Sequence, residues 1–327
     1  MRIAGTPAVE GAAAGGRPGS PVAGPSVGEG SRQSLRSPLA GEHRWAWLFL
    51  APTLLGLAVL SAGPILATFG ISFTDWDLLT PPDWVGLVSY QELLASDRFW
   101  KALRNTAFYT VISVPLGMTI ALVFALGLDQ ALKGIAWIRT MYFLPLVTSS
   151  VAVGLVWLWI YAPQGGLLNA LTGLLGIPPQ RWTSDPFWAM PAIIVMSVWQ
   201  GLGVSIIIFL AGLQAIPKEY YDAASVDGAG RWARFRSVTL PLLTPSLFFT
   251  GILSLIGALQ VFDQVYVLAR PGRPTEATIT LVYFIYEEGF SFFRMGRAAA
   301  ASWVLFVIAA VLTLIYFRSQ RRWVHYQ

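Results

Sequence analysis

The stretch Ala215-Ile216-Pro217-Lys218-Glu219-Tyr220-Tyr221-Asp222-Ala223-Ala224-Ser225-Val226-Asp227-Gly228-Ala229-Gly230 is a polar island between two uncharged runs, Pro186–Pro217 and Ser237–Phe262. Pro217 suits a first helical position, where a missing N–H leaves no bond unmade. Glu219 sets a negative charge near the positive helix start. Gly228 can take the positive φ that ends a helix. The spacing predicts a helix of about three turns from Lys218 to Gly228. Ala223 and Ala224 are small enough for a partner surface to approach closely. A second, basic helical segment follows over Arg231–Arg236, and Leu240-Pro241 leads into the next apolar run. An ordinary solvated connector need not be helical, Ala-smooth and so firmly punctuated.

Outward from this loop, the absence of charge marks the spans. No Asp, Glu, Lys, Arg or His occurs in Trp45–Thr74, Asn105–Leu128, Thr140–Gln180, Pro186–Pro217, Ser237–Phe262 or Ala298–Phe317. A bilayer core needs about 20 apolar helical residues. Each run is long enough, so the expectation is an all-α integral membrane protein with six transmembrane helices. In the longest run, Gly165-Gly166-Leu167-Leu168-Asn169 to Gly176-Ile177-Pro178-Pro179 reads as a turn and a short interfacial helix. Composition agrees: 55% of the 327 residues are hydrophobic and only 12% charged, which argues against a free-standing soluble enzyme. There is no Cys, which excludes disulfides, thiolate metal sites and thiol catalysis. The net charge of +5 comes mostly from Arg. In so apolar a chain this points to membrane edges rather than to nucleic acid.

The ends differ in kind. Of the first 40 residues, 25 are Gly, Ala, Pro or Ser, so residues 1–44 are expected to be a disordered tail. They carry no apolar h-region of a cleaved signal peptide, and the run from Trp45 would act as an uncleaved anchor. Residues 45–317 form the membrane domain, and 318–327 a short basic tail. Lys and Arg counted over alternate loops give 14 on the side of both termini and 8 on the other. The positive-inside rule then places both termini, and the 213–245 loop, in the cytoplasm of a multi-pass plasma (inner) membrane protein.

Catalytic signatures are missing. His43 and His325 both fall outside the runs, no HExxH, GxSxG or carboxylate pair sits in a helix, and no GxxxxGK[ST] pattern occurs. The chain is therefore not expected to be an enzyme or to hold a cofactor or metal. Any ATP that drives it is hydrolysed on another subunit.

At this point the polar loop resembles a known family, the permeases of binding-protein-dependent ABC importers. Their loop reads Glu-Ala-Ala, three residues, Gly, nine residues, Ile, one residue, Leu-Pro. Here Asp222-Ala223-Ala224, Gly228, Val238 and Leu240-Pro241 keep every spacing, with Asp for Glu and Val for Ile. Tyr142-Phe143-Leu144-Pro145, Trp157 to Tyr161, Gly166-Leu167-Leu168-Asn169, Asp227-Gly228-Ala229, Phe262-Asp263 and Met295-Gly296-Arg297-Ala298 are similar to the sugar-importer branch, of the maltose and glycerol-3-phosphate permease type. Ala269-Arg270-Pro271-Gly272-Arg273-Pro274 departs from that branch's Thr-x-Gly-Gly-Pro-like turn. The resemblance covers about residues 45–320 and implies a type I importer permease fold. It implies a second, unlike permease subunit, two ATP-binding subunits and an extracytoplasmic solute-binding protein as partners, with membrane lipid around the spans. It also makes the loop helix a coupling helix, with Glu219, Tyr220, Asp222, Ala223, Ala224, Asp227, Gly228 and Ala229 meeting the ATPase.

A path for a sugar, a polyol or glycerol phosphate needs amides, carboxylates and aromatics inside spans. The fourth run offers Ser197, Trp199, Gln200 and Gly201; the fifth offers Gln260, Phe262, Asp263 and Gln264. Asp263 is the acidic residue set in apolar sequence, and intramembrane charges usually face a cavity. It either touches the substrate or has a structural or gating role near the end of its span. Trp45, Trp47, Tyr161 and Trp182 read as interfacial anchors. A stand-alone secondary transporter would need internal repeats or several buried ionisable groups, and neither is evident.

Overall fold

A computed structural model describes residues 39–129, 140, 142, 144–268 and 275–323. The chain divides into two units, Met1–Ala58 and Val59–Gln327. In the first, a helix covers Leu39–Leu57, so it begins inside the stretch expected to be a loose tail; residues 1–38 of that tail lie outside the described residues. The second unit carries the rest of the architecture.

Among the described residues four helices are long and apolar enough to cross a membrane: α1 (Ala46–Ile71), α2 (Asp97–Leu128), α4 (Pro186–Gln214) and Met295–Gln320, the last within α9 (Met295–Trp323). A fifth span arises if the bent pair Arg231–Leu242 and α6 (Thr244–Leu259) is taken as one. The third uncharged run contains α3 (Ser150–Ile160), only 11 residues long, after a break at Thr148 and Ser149. Residues 141 and 143 of that run lie outside the described residues. Between the spans sit α5 (Lys218–Val226), α7 (Asp263–Leu268) and α8 (Leu281–Tyr286). A two-residue antiparallel pairing, Thr74 with Trp84 and Asp75 with Asp83, is the one sheet among the described residues.

Proline explains several departures from straight spans. Pro64 cannot donate to the turn before it, and a π-helical turn at Ala58–Ala62 absorbs the mismatch. The fifth run was expected to be one helix over Ser237–Phe262. It is bent by 63° at Leu243, between Pro241 and Pro245. The same run ends as a helix at Leu259, and the chain restarts at Asp263 as α7. At the break, the Thr280 hydroxyl donates to the Val261 carbonyl at 3.1 Å, which satisfies a backbone group freed inside apolar surroundings.

The helices pack through small residues, because lipid removes the usual hydrophobic drive between them. The most extensive pairing is α2 against α4, where Ala121 and Ala125 are fully buried against Ile206 and Phe209. At Gly203 of α4 a side chain would meet the Tyr142 carbonyl at 2.5 Å, so only glycine lets the two backbones lie that close. Many large side chains instead face outward, such as Phe49, Leu60 and Leu314, as a lipid-facing surface requires.

Gly165 and Gly176, with φ of +72° and +75°, bracket the expected short helix, seen at Leu167–Gly173. Asn169 organises that loop. Its amide group donates to the Pro163 and Gln180 carbonyls, and its carbonyl accepts from the Gln180 N–H and the Trp182 indole. Tyr161 corrects the reading of it as an interfacial anchor. It is 2% exposed, and its hydroxyl donates to the Ala192 carbonyl at 2.8 Å, so its polar tip is satisfied without water. The last helix continues through Arg318 to Trp323, and 324–327 lie outside the described residues.

Candidate functional site

Two sites hold the sequence-derived residues. The first is a cavity of about 390 Å³ between α2, α4, α6 and the break before α3, its wall mixing hydroxyls and amides with apolar side chains. Tyr109 and Ser113 enter it from α2, Ser197, Gln200, Gly201 and Ser205 from α4, Ser254 and Gly257 from α6, and Ser150 from the start of α3. The Gln200 amide nitrogen donates to the Ser150 hydroxyl at 3.1 Å. The Gln264 amide nitrogen donates in turn to the Gln200 carbonyl oxygen at 3.0 Å. This chain of bonds joins three elements separated by 50 and 64 residues. The Ser197 hydroxyl oxygen is buried with no well-formed hydrogen bond, although the Tyr109 side chain lies beside it.

A second cavity of about 330 Å³ adjoins the first at the helix break. It is lined by Tyr109, Gly257, Gln260, Val261, Phe262, Asp263 and Gln264. Tyr109, Gly257 and Gln264 line both. The structure thus brings together Ser197, Gln200, Gly201, Gln260, Phe262, Asp263 and Gln264. Trp199 is not among them. It turns to a neighbouring face of α4, into an apolar groove, with its ring 5.6 Å from that of Trp157. One residue along a helix rotates a side chain by about 100°, which separates Trp199 from Gln200. Asp263 sits at the start of α7 and is exposed, not enclosed within a span.

Sequence reasoning missed Tyr109, Ser113, Ser150, Ser205 and Ser254. A signal was present for most of them. Tyr109, Ser113 and Gly117 on α2, and Ser197, Gly201 and Ser205 on α4, recur every four residues. Such a polar and small stripe lies on one helix face.

The second site is α5. Pro217 is its N-cap, one position before the expected place, and the helix ends at Val226. Gly228 has a φ of +76°. The Ala229 N–H donates to the Ala224 carbonyl at 2.9 Å and the Gly228 N–H to that of Ser225 at 3.1 Å. Together they form the paired bonds of a Schellman cap. One face of α5 packs inward through Tyr221 and Ala224, with the Tyr221 hydroxyl 3.1 Å from that of Thr239. Arg234 reaches back to the Ser225 hydroxyl at 3.1 Å and ties the basic segment to the helix. Glu219, Tyr220, Asp222, Ala223, Asp227 and Gly228 are exposed, Val226 is 88% exposed, and Ala229 is partly covered.

Apolar spans around cavities lined by amides and hydroxyls, with a capped helix standing exposed between two of them, fit a polytopic membrane protein of the transporter class. The family described as "Binding-protein-dependent transport system inner membrane component" matches residues 113–325, and the chain belongs to it: it is a permease component of an ABC transporter. The chain is 38% identical over 301 residues to a probable ABC transporter permease protein, YesP, of Bacillus subtilis, covering 91% of this chain and 95% of the relative. It is 36% identical over 281 residues to the lactose transport system permease protein LacF of Rhizobium radiobacter, covering 84% and 93%. Among solved structures, a bacterial ABC transporter involved in import of the acidic polysaccharide alginate has a chain that matches with a TM-score of 0.76 at 25% identity, covering 87% of this chain and 98% of that one.

Proposed function

We propose that this chain is the permease subunit of an ATP-driven carbohydrate importer. It pairs with a second, unlike permease, two ATP-binding subunits and an extracytoplasmic solute-binding protein. Six spans cross the plasma (inner) membrane with both termini in the cytoplasm; the bent pair is the fifth span, and the segment through α3 completes the third. Substrate passes along the route lined by Ser197, Gln200, Gly201, Gln260, Phe262, Asp263 and Gln264. Closure of the ATPase dimer moves α5, and that motion reaches the spans through Tyr221 and the basic segment behind it.

The observation that carries this reading is the bonded chain Ser150–Gln200–Gln264 lining a cavity among apolar helices. Amides and hydroxyls matched to hydroxyl-rich ligands stand there in place of ionisable groups. The test is uptake by cells carrying the full importer, with and without this chain. Sugar uptake that needs the chain, ATP and the solute-binding protein is expected. The purified chain alone should show no ATP hydrolysis, and uptake that persists without the ATPase subunits would overturn the proposal.

A further inference from the structure

Behind the cap of α5 the surface changes sign. The outward side of α5 carries Glu219, Asp222 and Asp227, all exposed, against the single cation Lys218. The segment Arg231–Leu242 that follows presents Arg231, Trp232, Arg236 and Ser237 outward and buries Val238 and Thr239. Arg234 is tied to Ser225, but Arg231 and Arg236 have no ion-pair partner among the described residues. Trp232 is 71% exposed, and its ring stacks on that of Phe235 at 5.4 Å, which fixes the indole in place. Trp232 and Arg236 stand four residues apart, so they share one side of the segment. The segment meets α6 at 63°. With α6 crossing the bilayer along its normal, the segment lies closer to the membrane plane than to that normal, the posture of an interfacial helix.

We propose that this segment is a docking surface for anionic phospholipid headgroups, with Arg231 and Arg236 meeting the phosphates and Trp232 seated at headgroup level. The donor fork of a guanidinium matches a phosphate in shape and charge. An indole beside it, apolar in body and polar at one edge, suits the boundary between acyl chains and water. Basic groups next to a span are drawn to a negatively charged leaflet. One partner surface does not suit both neighbours: whatever complements the three carboxylates of α5 repels the two free guanidiniums behind them. The ATPase contact proposed above is therefore left to α5, and the basic segment to lipid. Lipid docking goes beyond the importer reading, from which it takes only that α6 spans the bilayer.

The absence of Cys from the whole chain allows a direct test. Ala233 is exposed between Trp232 and Arg236, so Ala233→Cys places one thiol on this surface. The importer carrying it, assembled with partner subunits free of Cys, is labelled with a bimane fluorophore and placed in nanodiscs of phosphatidylcholine. Phosphatidylglycerol or phosphatidylcholine bearing an acyl-chain nitroxide near the glycerol is then added at equal mole fraction. Quenching by the anionic lipid should exceed that by the zwitterionic one about threefold or more. The preference should fade at high salt and vanish when Arg231→Gln and Arg236→Gln are combined.

Equal quenching by the two lipids with both arginines present, or a preference that the double variant leaves unchanged, overturns the proposal. No quenching by either lipid also overturns it. Iodide in the buffer then quenches a label facing water and spares one covered by a protein partner. Ser237→Cys, exposed on the same side, gives the same reading if Ala233→Cys does not assemble. Sugar uptake plays no part in the measurement, so failure of the carbohydrate assignment leaves its outcome unchanged.

Discussion

The α5 loop and the membrane cavity are built by opposite means. Every bond that shapes α5 and its cap closes within about twenty residues: Gly228 to Ser225, Ala229 to Ala224, Arg234 to Ser225, Tyr221 to Thr239. The cavity has no such local support. Its central bonds, Gln200 to Ser150 and Gln264 to Gln200, join residues far apart in the chain and exist only once the helices have packed. A locally closed element can move as one rigid piece. A cavity held by long-range bonds changes shape whenever its walls shift. Those are the properties wanted in a lever and in a gate.

The largest expected effect attacks the local element. Gly228→Val forces a β-branched residue to a φ of +76°, a strain of about 1–3 kcal/mol. Open space surrounds that position within the chain, so the strain is of the backbone alone. The variant should insert in the membrane but lose nearly all uptake and its co-purification with the ATPase. Gly228→Asn tolerates the left-handed region better and should keep more of both. Wild-type uptake in the valine variant would reduce α5 to an ordinary connector.

Next comes the cavity. Gln200→Ala removes both bonds of the Ser150–Gln200–Gln264 chain and leaves partners unpaired, a loss of about 1–3 kcal/mol. Uptake should fall about tenfold with assembly intact, since 1.4 kcal/mol is tenfold in an equilibrium constant. Unchanged uptake would remove this bond chain from the path.

Legibility followed the same division. The cap at Gly228 could be read from sixteen consecutive residues, because glycine and proline act on their own backbone. The bend at Leu243 could not, since a run without charges says nothing of its internal geometry, and Pro241 was read only as leading into the span. Trp199 and Gln200 looked equivalent as neighbours in the text, yet the helix turns them to different surfaces. Tyr161 looked like an anchor because an aromatic at the end of an apolar run usually is one; the Ala192 carbonyl on another helix was invisible. The serines of the cavity were hidden by their chemistry, as a lone serine in a span is unremarkable until its four-residue repeat is noticed.

Two smaller effects sharpen the contrast. Thr280→Val deletes the hydroxyl that caps the Val261 carbonyl and should lower the thermal midpoint of the purified complex by an amount matching about 1 kcal/mol. Because it acts at the break, it should also impair uptake; a stability loss with unchanged uptake would make the break purely structural. Tyr221→Phe breaks only the bond to Thr239, worth about 0.5–1.5 kcal/mol. The sign to look for is ATP hydrolysis less stimulated by loaded solute-binding protein, with ATPase binding kept. Full stimulation would show that packing of the Tyr221 ring suffices to carry the motion.

The 63° bend between Arg231–Leu242 and α6 has a mechanical meaning. A thrust directed along the first segment would resolve about twice as strongly across the α6 axis as along it. Such a thrust would swing the helix on the Leu243 corner more than it slid it along its axis. Ser254 and Gly257, farther from that corner, travel through a wider arc than residues beside it. Under the coupling proposed above, a small stroke at the loop would be amplified beside the cavity that Ser254 and Gly257 line, with no change in helical register.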